Sequence, residues 1–157
     1  MFWQSIMADR WIGRTLLHRA VFETFHLAPE LVDVIDDLAE LKGPAAPDPR
    51  ILVQRTRREG RFPLQFDVFV GGEDLERPVT DLAGTLVRAR ALASRLGAVL
   101  LLGTGPIGHD EQLRVRPDGT VDIVELDPDE LDEERFVIVG ARPFSEQTAE
   151  ASTARTG

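Results

Sequence analysis

The sequence predicts an α+β fold, with an N-terminal helical pair followed by a mostly antiparallel β-sheet that has one helix packed on a face. Three observations support this prediction. The front of the chain, residues 9–43, carries apolar residues at helical spacing. Most of the chain after residue 50 alternates apolar and polar residues between turn signals. Residues 79–97 interrupt that alternation with a single apolar stripe of helical period.

Length and composition limit the functions that the chain can have. Its 157 residues suit one domain, and 43% hydrophobic with 29% charged residues indicate a buried core. The net charge of -9 disfavours nucleic acid and favours a basic protein partner. The absence of cysteine excludes disulfides and thiolate metal sites. No cofactor or metal site is predicted.

The chain is expected to divide into three parts. Residues 1–8 are interpreted as a flexible N-terminus, within which Met7 is an alternative start. Residues 9–142 form the domain, composed of the helical part 9–43, a proline-rich linker 44–49 and the sheet part 50–142. Residues 143–157 are expected to be a disordered tail. Neither a signal-peptide pattern nor an apolar run of about 18 to 20 residues is present, so a cytoplasmic protein without membrane contact is expected.

Two helices are predicted in the front part. The first covers residues 9–26, with Asp9 as its N-cap. The second begins at Pro29 and ends at Gly43, because proline suits a first helical turn and glycine suits a left-handed cap. Its apolar stripe consists of Leu31, Ile35, Leu38 and Leu41.

The sheet part is predicted to contain two hairpins, two further strands and one helix. The helix, residues 79–97, has Thr80 or Asp81 as its N-cap and ends at Gly97. The predicted strands are 51–58, 62–72, 98–102, the two arms of a hairpin within 112–127, and 136–140.

A glycine-rich segment follows the apolar run 98–102. Gly103, Gly105 and Gly108 match the G-x-G-x-x-G pattern of dinucleotide-binding folds. In those folds the phosphates lie at the N-terminus of the helix that follows. Here residues 113–116 alternate as a strand, so the glycines are interpreted as turn residues and not as a nucleotide site.

The same loop contains the best candidate for acid–base chemistry. His109, Asp110 and Glu111 place a base beside two carboxylates, so an enzyme that uses these three residues is one alternative. A solvated loop is the favoured interpretation, and no catalytic residue is predicted.

The strongest charge feature is an acidic segment. Between residues 118 and 134 no lysine or arginine interrupts the acids Asp118, Asp122, Glu125, Asp127, Asp129, Glu130, Asp132, Glu133 and Glu134. The segment is either a solvated loop or a docking surface for a basic protein. For docking, the predicted contact residues are Asp127, Asp129, Glu130, Asp132, Glu133 and Glu134, with Phe69 and Ile107 as apolar anchors.

The order of these elements resembles a group of small bacterial proteins, some of which are similar to immunity proteins encoded beside toxins. The resemblance covers residues 62–139 and depends on "FPLQFDVFV", "ALASRLGAVLLL" and "LRVRPDGTVDIVELDPDELDEE". It contains no catalytic motif and implies no functional residue. It implies an inhibitor whose carboxylates mimic nucleic acid in the basic site of a toxin.

Three functions follow from these observations. The leading hypothesis is a non-catalytic protein-binding module, an immunity-type inhibitor of a basic toxin or effector. The first alternative is a small acidic secretion-type chaperone, and either protein could be a homodimer. The second alternative is the enzyme that uses His109, Asp110 and Glu111.

Overall fold

The computed structural model describes residues 1–40 and 49–145. The strands in these ranges are β1 (Phe2–Ala8), β2 (Val32–Ile35), β3 (Ile51–Arg57), β4 (Leu64–Val70), β5 (Leu100–Leu102), β6 (Glu111–Val115), β7 (Val121–Leu126) and β8 (Ile138–Pro143). The α-helices are α1 (Arg14–Thr24), α2 (Glu73–Glu76), α3 (Leu82–Leu96) and α4 (Pro128–Asp132). Short 3-10 turns occur at Pro29–Leu31, Leu38–Glu40 and Arg77–Val79.

The strands form one sheet of eight strands in the order β2-β3-β4-β1-β5-β6-β7-β8. Every neighbouring pair is antiparallel except β2 and β3, which are parallel. The chain therefore has the α+β class and the mostly antiparallel sheet that the sequence predicts.

The N-terminal segment is a central strand, so the expectation of a flexible residue 1–8 segment was wrong. β1 pairs with β4 on one side and with β5 on the other. Trp3, Ile6 and Ala8 are buried in the main core, and this burial stabilises the strand. An irregularity in the pairing between Phe2 and Gln4 disrupts the alternation of side chains. The strand pattern was therefore missed.

The predicted helical pair is also wrong, because only its first member forms. Pro29 begins a 3-10 turn, but the chain is then extended over Val32 to Ile35, which form β2. The β-branched Val32 and Val34 are buried opposite Ile51 and Val53 of β3, and this pairing prevails over the helical spacing of the leucines. The predicted helix end at residues 41–43 and most of the linker 44–49 lie outside the described residues.

The first helix is shorter than predicted. α1 begins after Gly13, which makes no side-chain capping hydrogen bond. Asp9, the predicted cap, lies before the helix, and its carboxylate accepts a hydrogen bond from the Val99 N–H at 3.0 Å. Asp9 thus ties the end of β1 to the start of β5.

The two faces of the sheet differ in their cover. On one face, here called the core face, α1 and α3 pack over the main hydrophobic cluster, which includes Leu17, Val21, Leu86 and Leu92. The opposite face, here called the outer face, carries a smaller cluster. That cluster contains Met7, Phe62, Leu101, Val124 and Leu126, with Leu131 and Phe136 packed against it.

The remaining elements follow their local sequence signals. Asp81 caps α3 by accepting a hydrogen bond from the Gly84 N–H at 2.7 Å, and Gly97 ends it in the left-handed conformation with φ 59°. The 112–127 hairpin appears as β6 and β7. β8 runs to Pro143, so the first residue of the expected tail belongs to the sheet, and residues 146–157 lie outside the described part.

Candidate protein-binding surface

The second half of the acidic segment, residues 127–134, folds into α4 and the loop that leads to β8. Asp127 is the N-cap, and its carboxylate accepts hydrogen bonds from the N–H groups of Asp129 and Glu130. Pro128 occupies the first turn, where its fixed φ and missing N–H suit a helix start. The acidic residues in this turn also interact favourably with the helix dipole. The predicted contact residue Asp127 therefore has a structural role.

Two further acids of residues 127–134 are neutralised within the chain. Glu130 pairs with Arg135 at 2.6 Å, and Glu134 pairs with Arg58 at 3.0 Å. The second pair joins the loop after α4 to the turn between β3 and β4. In consequence, part of the like-charge repulsion expected from the sequence is relieved by arginines from outside the acidic run.

Three of the predicted contact acids remain available. Asp129, Asp132 and Glu133 are exposed, and none has an ion-pair partner within 4 Å among residues 1–40 and 49–145. We name these three residues the α4 acids. The half-buried Leu131 packs against the outer-face cluster and holds the helix on that face.

Phe69 lies on the same outer face of the sheet. Its strand neighbours on the core face, Val68 and Val70, are buried, whereas Phe69 is 37% exposed. Its ring packs edge-to-face against Phe2, with 5.5 Å between the ring centroids, and Phe2 is 52% exposed. The structure therefore places one predicted apolar anchor and the α4 acids on one face, and it adds Phe2.

Ile107, the other predicted anchor, lies elsewhere. It is partly buried against the main core, whereas the α4 acids are held on the outer face. The glycine loop that contains Ile107 joins β5 to its antiparallel neighbour β6, with no α-helix between them. Gly105 adopts φ 96°, so the loop does use a glycine for a turn conformation. No helix N-terminus follows that could bind a phosphate.

Of the three residues of the enzyme alternative, Glu111 is held by contacts outside the group. The Glu111 carboxylate accepts hydrogen bonds from Arg142 at 2.9 Å and from the Gly108 N–H at 2.6 Å. The contacts with Arg142, and then the one with Gly108, lower the pKa of Glu111 to about 2. His109 is exposed, and no described residue hydrogen-bonds to its ring. Glu111 is thus a weak base that fastens the loop to β8.

Sequence reasoning missed a charged cluster at the β2 edge of the sheet. Arg55 is only 9% exposed. Two of its nitrogens donate to Asp36, at 2.7 and 2.9 Å, and a third donates to the Ile12 carbonyl at 2.8 Å. Trp11 lies under the guanidinium at 4.6 Å. Arg55 occurs at a core-facing position of an alternating strand, and an arginine at such a position indicates a charge partner.

This cluster gives a pH prediction. Hydrogen bonds from Arg55, and secondarily from Arg14, lower the pKa of Asp36 to about 2 from its usual 3.8. Because the pKa is lower in the folded state, the pair should stabilise the fold above about pH 4, and this stabilisation should be lost as the pH falls toward 2. We expect Asp36→Asn to lower the free energy of unfolding by about 1 kcal/mol at pH 7, since Asp36 is partly exposed.

Urea unfolding at pH 7 and at pH 3 measures this effect. The difference between Asp36→Asn and the parent protein should shrink at pH 3. Glu30→Gln is the matched control, because Glu30 is exposed and has no ion pair among the described residues. A constant difference at both pH values would contradict the assigned role of the Asp36 charge.

The part of the chain that the structure describes contains no group of three or more His, Asp or Glu side chains placed to bind a metal ion. It also contains no helix of the length and apolar character needed to cross a membrane.

Comparison with known proteins gives no family. No protein-family model matches this chain, and no curated protein sequence or solved structure matches it either. The resemblance to immunity-like proteins therefore stays a prediction.

Proposed function

We propose that this protein is a non-catalytic binding protein that holds a basic protein partner on the outer face of its sheet, as an immunity-type inhibitor of a toxin or effector does. One observation carries the proposal. The outer face combines the unpaired α4 acids with the exposed Phe2 and Phe69, whereas the core face is covered by α1 and α3.

The chemistry of the face favours a positively charged partner. The chain has a net charge of -9, and the α4 acids on this face have no ion-pair partner within 4 Å among the described residues. Unpaired charges of one sign speed the approach of an oppositely charged protein and exclude wrong partners. Two adjacent exposed aromatic rings supply the apolar contact that charges alone lack.

The available side chains support binding more than catalysis. Glu111 is held by Arg142, and His109 has no carboxylate partner among the described residues. Two surface grooves, one between α1 and α3 and one beside the start of β1, have no histidine in their lining. One of them, about 290 Å³, is a polar groove between α1 and α3, on the side opposite the proposed surface.

The test is a charge reversal with a matched control. We expect Asp129→Lys, Asp132→Lys and Glu133→Lys together to weaken partner binding at least about tenfold at low salt, because three attractive charges become repulsive. The difference should narrow as salt is raised. The control is Glu30→Lys, Glu73→Lys and Glu125→Lys, which changes the net charge equally at exposed residues that also have no ion pair among the described residues.

The protein captures its partner from extracts of its host, and each variant is then measured against that purified partner. A folded basic partner in fixed stoichiometry, with loss of binding only in the α4 variant, supports the immunity-type function. An unfolded segment bound to a dimer would favour the chaperone. If both triple variants lost partner binding equally, the effect would come from net charge alone. That result would contradict the assignment of the α4 acids to the binding surface.

A further inference from the structure

The outer face contains a second, more specific feature beside the aromatic pair. Two rows of side chains cross the adjacent strands β3, β4 and β1. The register places Leu52, Phe69 and Phe2 in one row and Gln54, Asp67 and Ser5 in the next. We name these six residues the Asp67 notch. Along β3 and β4 the two rows are about 7 Å apart, which is the repeat of two residues in a strand. In β1, where the pairing is irregular, Phe2 and Ser5 are three residues apart.

One oxygen of the Asp67 carboxylate is held by hydrogen bonds within the sheet. Ser5 Oγ donates to Asp67 Oδ1 at 2.7 Å, and Gln65 Nε2 donates to the same oxygen at 3.0 Å. Gln65 is itself fixed, since its Oε1 accepts a hydrogen bond from Arg58 at 2.8 Å. The carboxylate is therefore oriented before any partner arrives.

The other oxygen, Oδ2, is not used. No described residue donates a hydrogen bond to it, and no described Arg or Lys nitrogen lies within 4 Å of Asp67. The nearby Arg58 does not supply the missing charge, because it pairs with Glu134. Asp67 is half-buried, so water screens its charge less than that of an exposed acid. The notch thus presents an oriented anion that lacks a cation.

We propose that the Asp67 notch binds an arginine side chain of the basic partner. A guanidinium donates to Asp67 Oδ2 and to the amide oxygen of Gln54, while its plane or its methylene stem lies on Phe69 and Phe2. Arginine suits this site better than lysine, because its planar group stacks on aromatic rings and donates several hydrogen bonds in a fixed geometry. The inference rests on the proposed function for the source of that arginine.

The probe is the acetylated and amidated peptide Gly-Ser-Arg-Ser-Gly, titrated into ¹⁵N-labelled full-length protein and followed by NMR. We expect saturable shifts of the amide signals of Phe2, Gln54, Asp67 and Phe69. The same peptide with citrulline, which is neutral and nearly isosteric, should not produce them, and the lysine peptide should bind more weakly than the arginine peptide.

Asp67→Asn should weaken arginine-peptide binding about tenfold or more, because it removes a charged acceptor. It keeps an oxygen for Ser5 and Gln65, so the fold should remain. Phe69→Leu should weaken binding about threefold through loss of the ring, and it tests the notch if Asp67→Asn does not fold. Glu125→Gln removes one negative charge on β7, outside the notch, and should leave arginine-peptide binding unchanged.

Equal shifts with the citrulline peptide, or an unchanged affinity in Asp67→Asn, would overturn the proposal. The two proposals fail separately. If the α4 reversal abolishes partner binding but the arginine peptide leaves the notch signals unmoved, the function stands and the notch does not. If the peptide binds the notch but no basic partner is found, the arginine site stands and the proposed function does not.

Discussion

A chain that begins at Met7 is expected not to fold. Such a chain lacks Phe2 to Ile6, and with them most of the strand that joins the two halves of the sheet. β4 loses its partner over the register from Phe2↔Phe69 to Ile6↔Phe66. Only Met7 and Ala8 remain to connect β4 with β5.

The lost burial is large relative to the stability of a domain. Trp3 is 6% exposed and Ile6 is fully buried. Truncating such residues costs about 3–5 kcal/mol for a tryptophan and about 2–5 kcal/mol for an isoleucine. A typical domain is stable by about 5–15 kcal/mol in total. The unpaired backbone groups of β4 and β5 add to the cost.

Thermal unfolding followed by circular dichroism checks the expectation. The chain without residues 1–6 should show no cooperative transition. Ile6→Ala should retain a transition at a lower temperature, whereas Phe2→Ala, at a position that is 52% exposed, should change stability by less than about 1 kcal/mol. A cooperative transition in the truncated chain would show that β1 is not the central strand.

Gly84→Ala should destabilise the protein, although alanine is the better helix former. Gly84 lies in the first turn of α3, and helix propensity alone predicts a gain of about 1 kcal/mol. A Cβ at this position would lie 1.6 Å from the carbonyl oxygen of Pro78 and 2.7 Å from its carbonyl carbon. The obstacle is backbone, so no side-chain rotation relieves it.

The segment that would have to move is fixed by other contacts. Thr85 Oγ donates to the Val79 carbonyl at 3.1 Å and accepts from the Trp3 indole at 3.3 Å. We therefore expect a loss of about 1–3 kcal/mol, as for overpacked cores. Urea unfolding measures it, with Gly13→Ala as the control, because a Cβ there meets no atom within 4 Å. A stabilised Gly84→Ala variant would contradict the close approach of Pro78 to α3.

The elements that sequence reasoning identified have strong local signals. Asp81 and Gly97 mark the two ends of α3, and the turn at residues 117–119 marks the β6–β7 hairpin. In each case the residues that specify the element lie within it or beside it. Such elements need no information about distant partners.

The elements that were missed depend on distant partners. β2 forms because Val32 and Val34 pair with Ile51 and Val53, although the same stretch also carries leucines at helical spacing. β1 forms because β4 and β5 flank it, and its irregular pairing near Phe2 hides the alternation. The hydrophobic periodicity within a segment carries no information about these long-range pairings.

The candidate surface was predictable only in its composition. The acidic run and Phe69 stand out in the sequence, but which acids remain unpaired depends on Arg58 and Arg135, whose approach follows from the fold. The role of Asp67 was not visible either. Its significance comes from Ser5, which lies 62 residues away in the chain and is opposite it only in the folded sheet.

Because β1 lies between β4 and β5, it cannot complete its pairing until both later strands have been synthesised. β1 is synthesised before both of its partner strands, which begin at Leu64 and Leu100. At about 5–20 residues per second, several seconds or more pass before its second partner has been made. Until β4 has been made both edges of this apolar strand are unpaired, and one edge stays unpaired until β5 follows. β1 therefore becomes an interior strand only through late, non-local pairing.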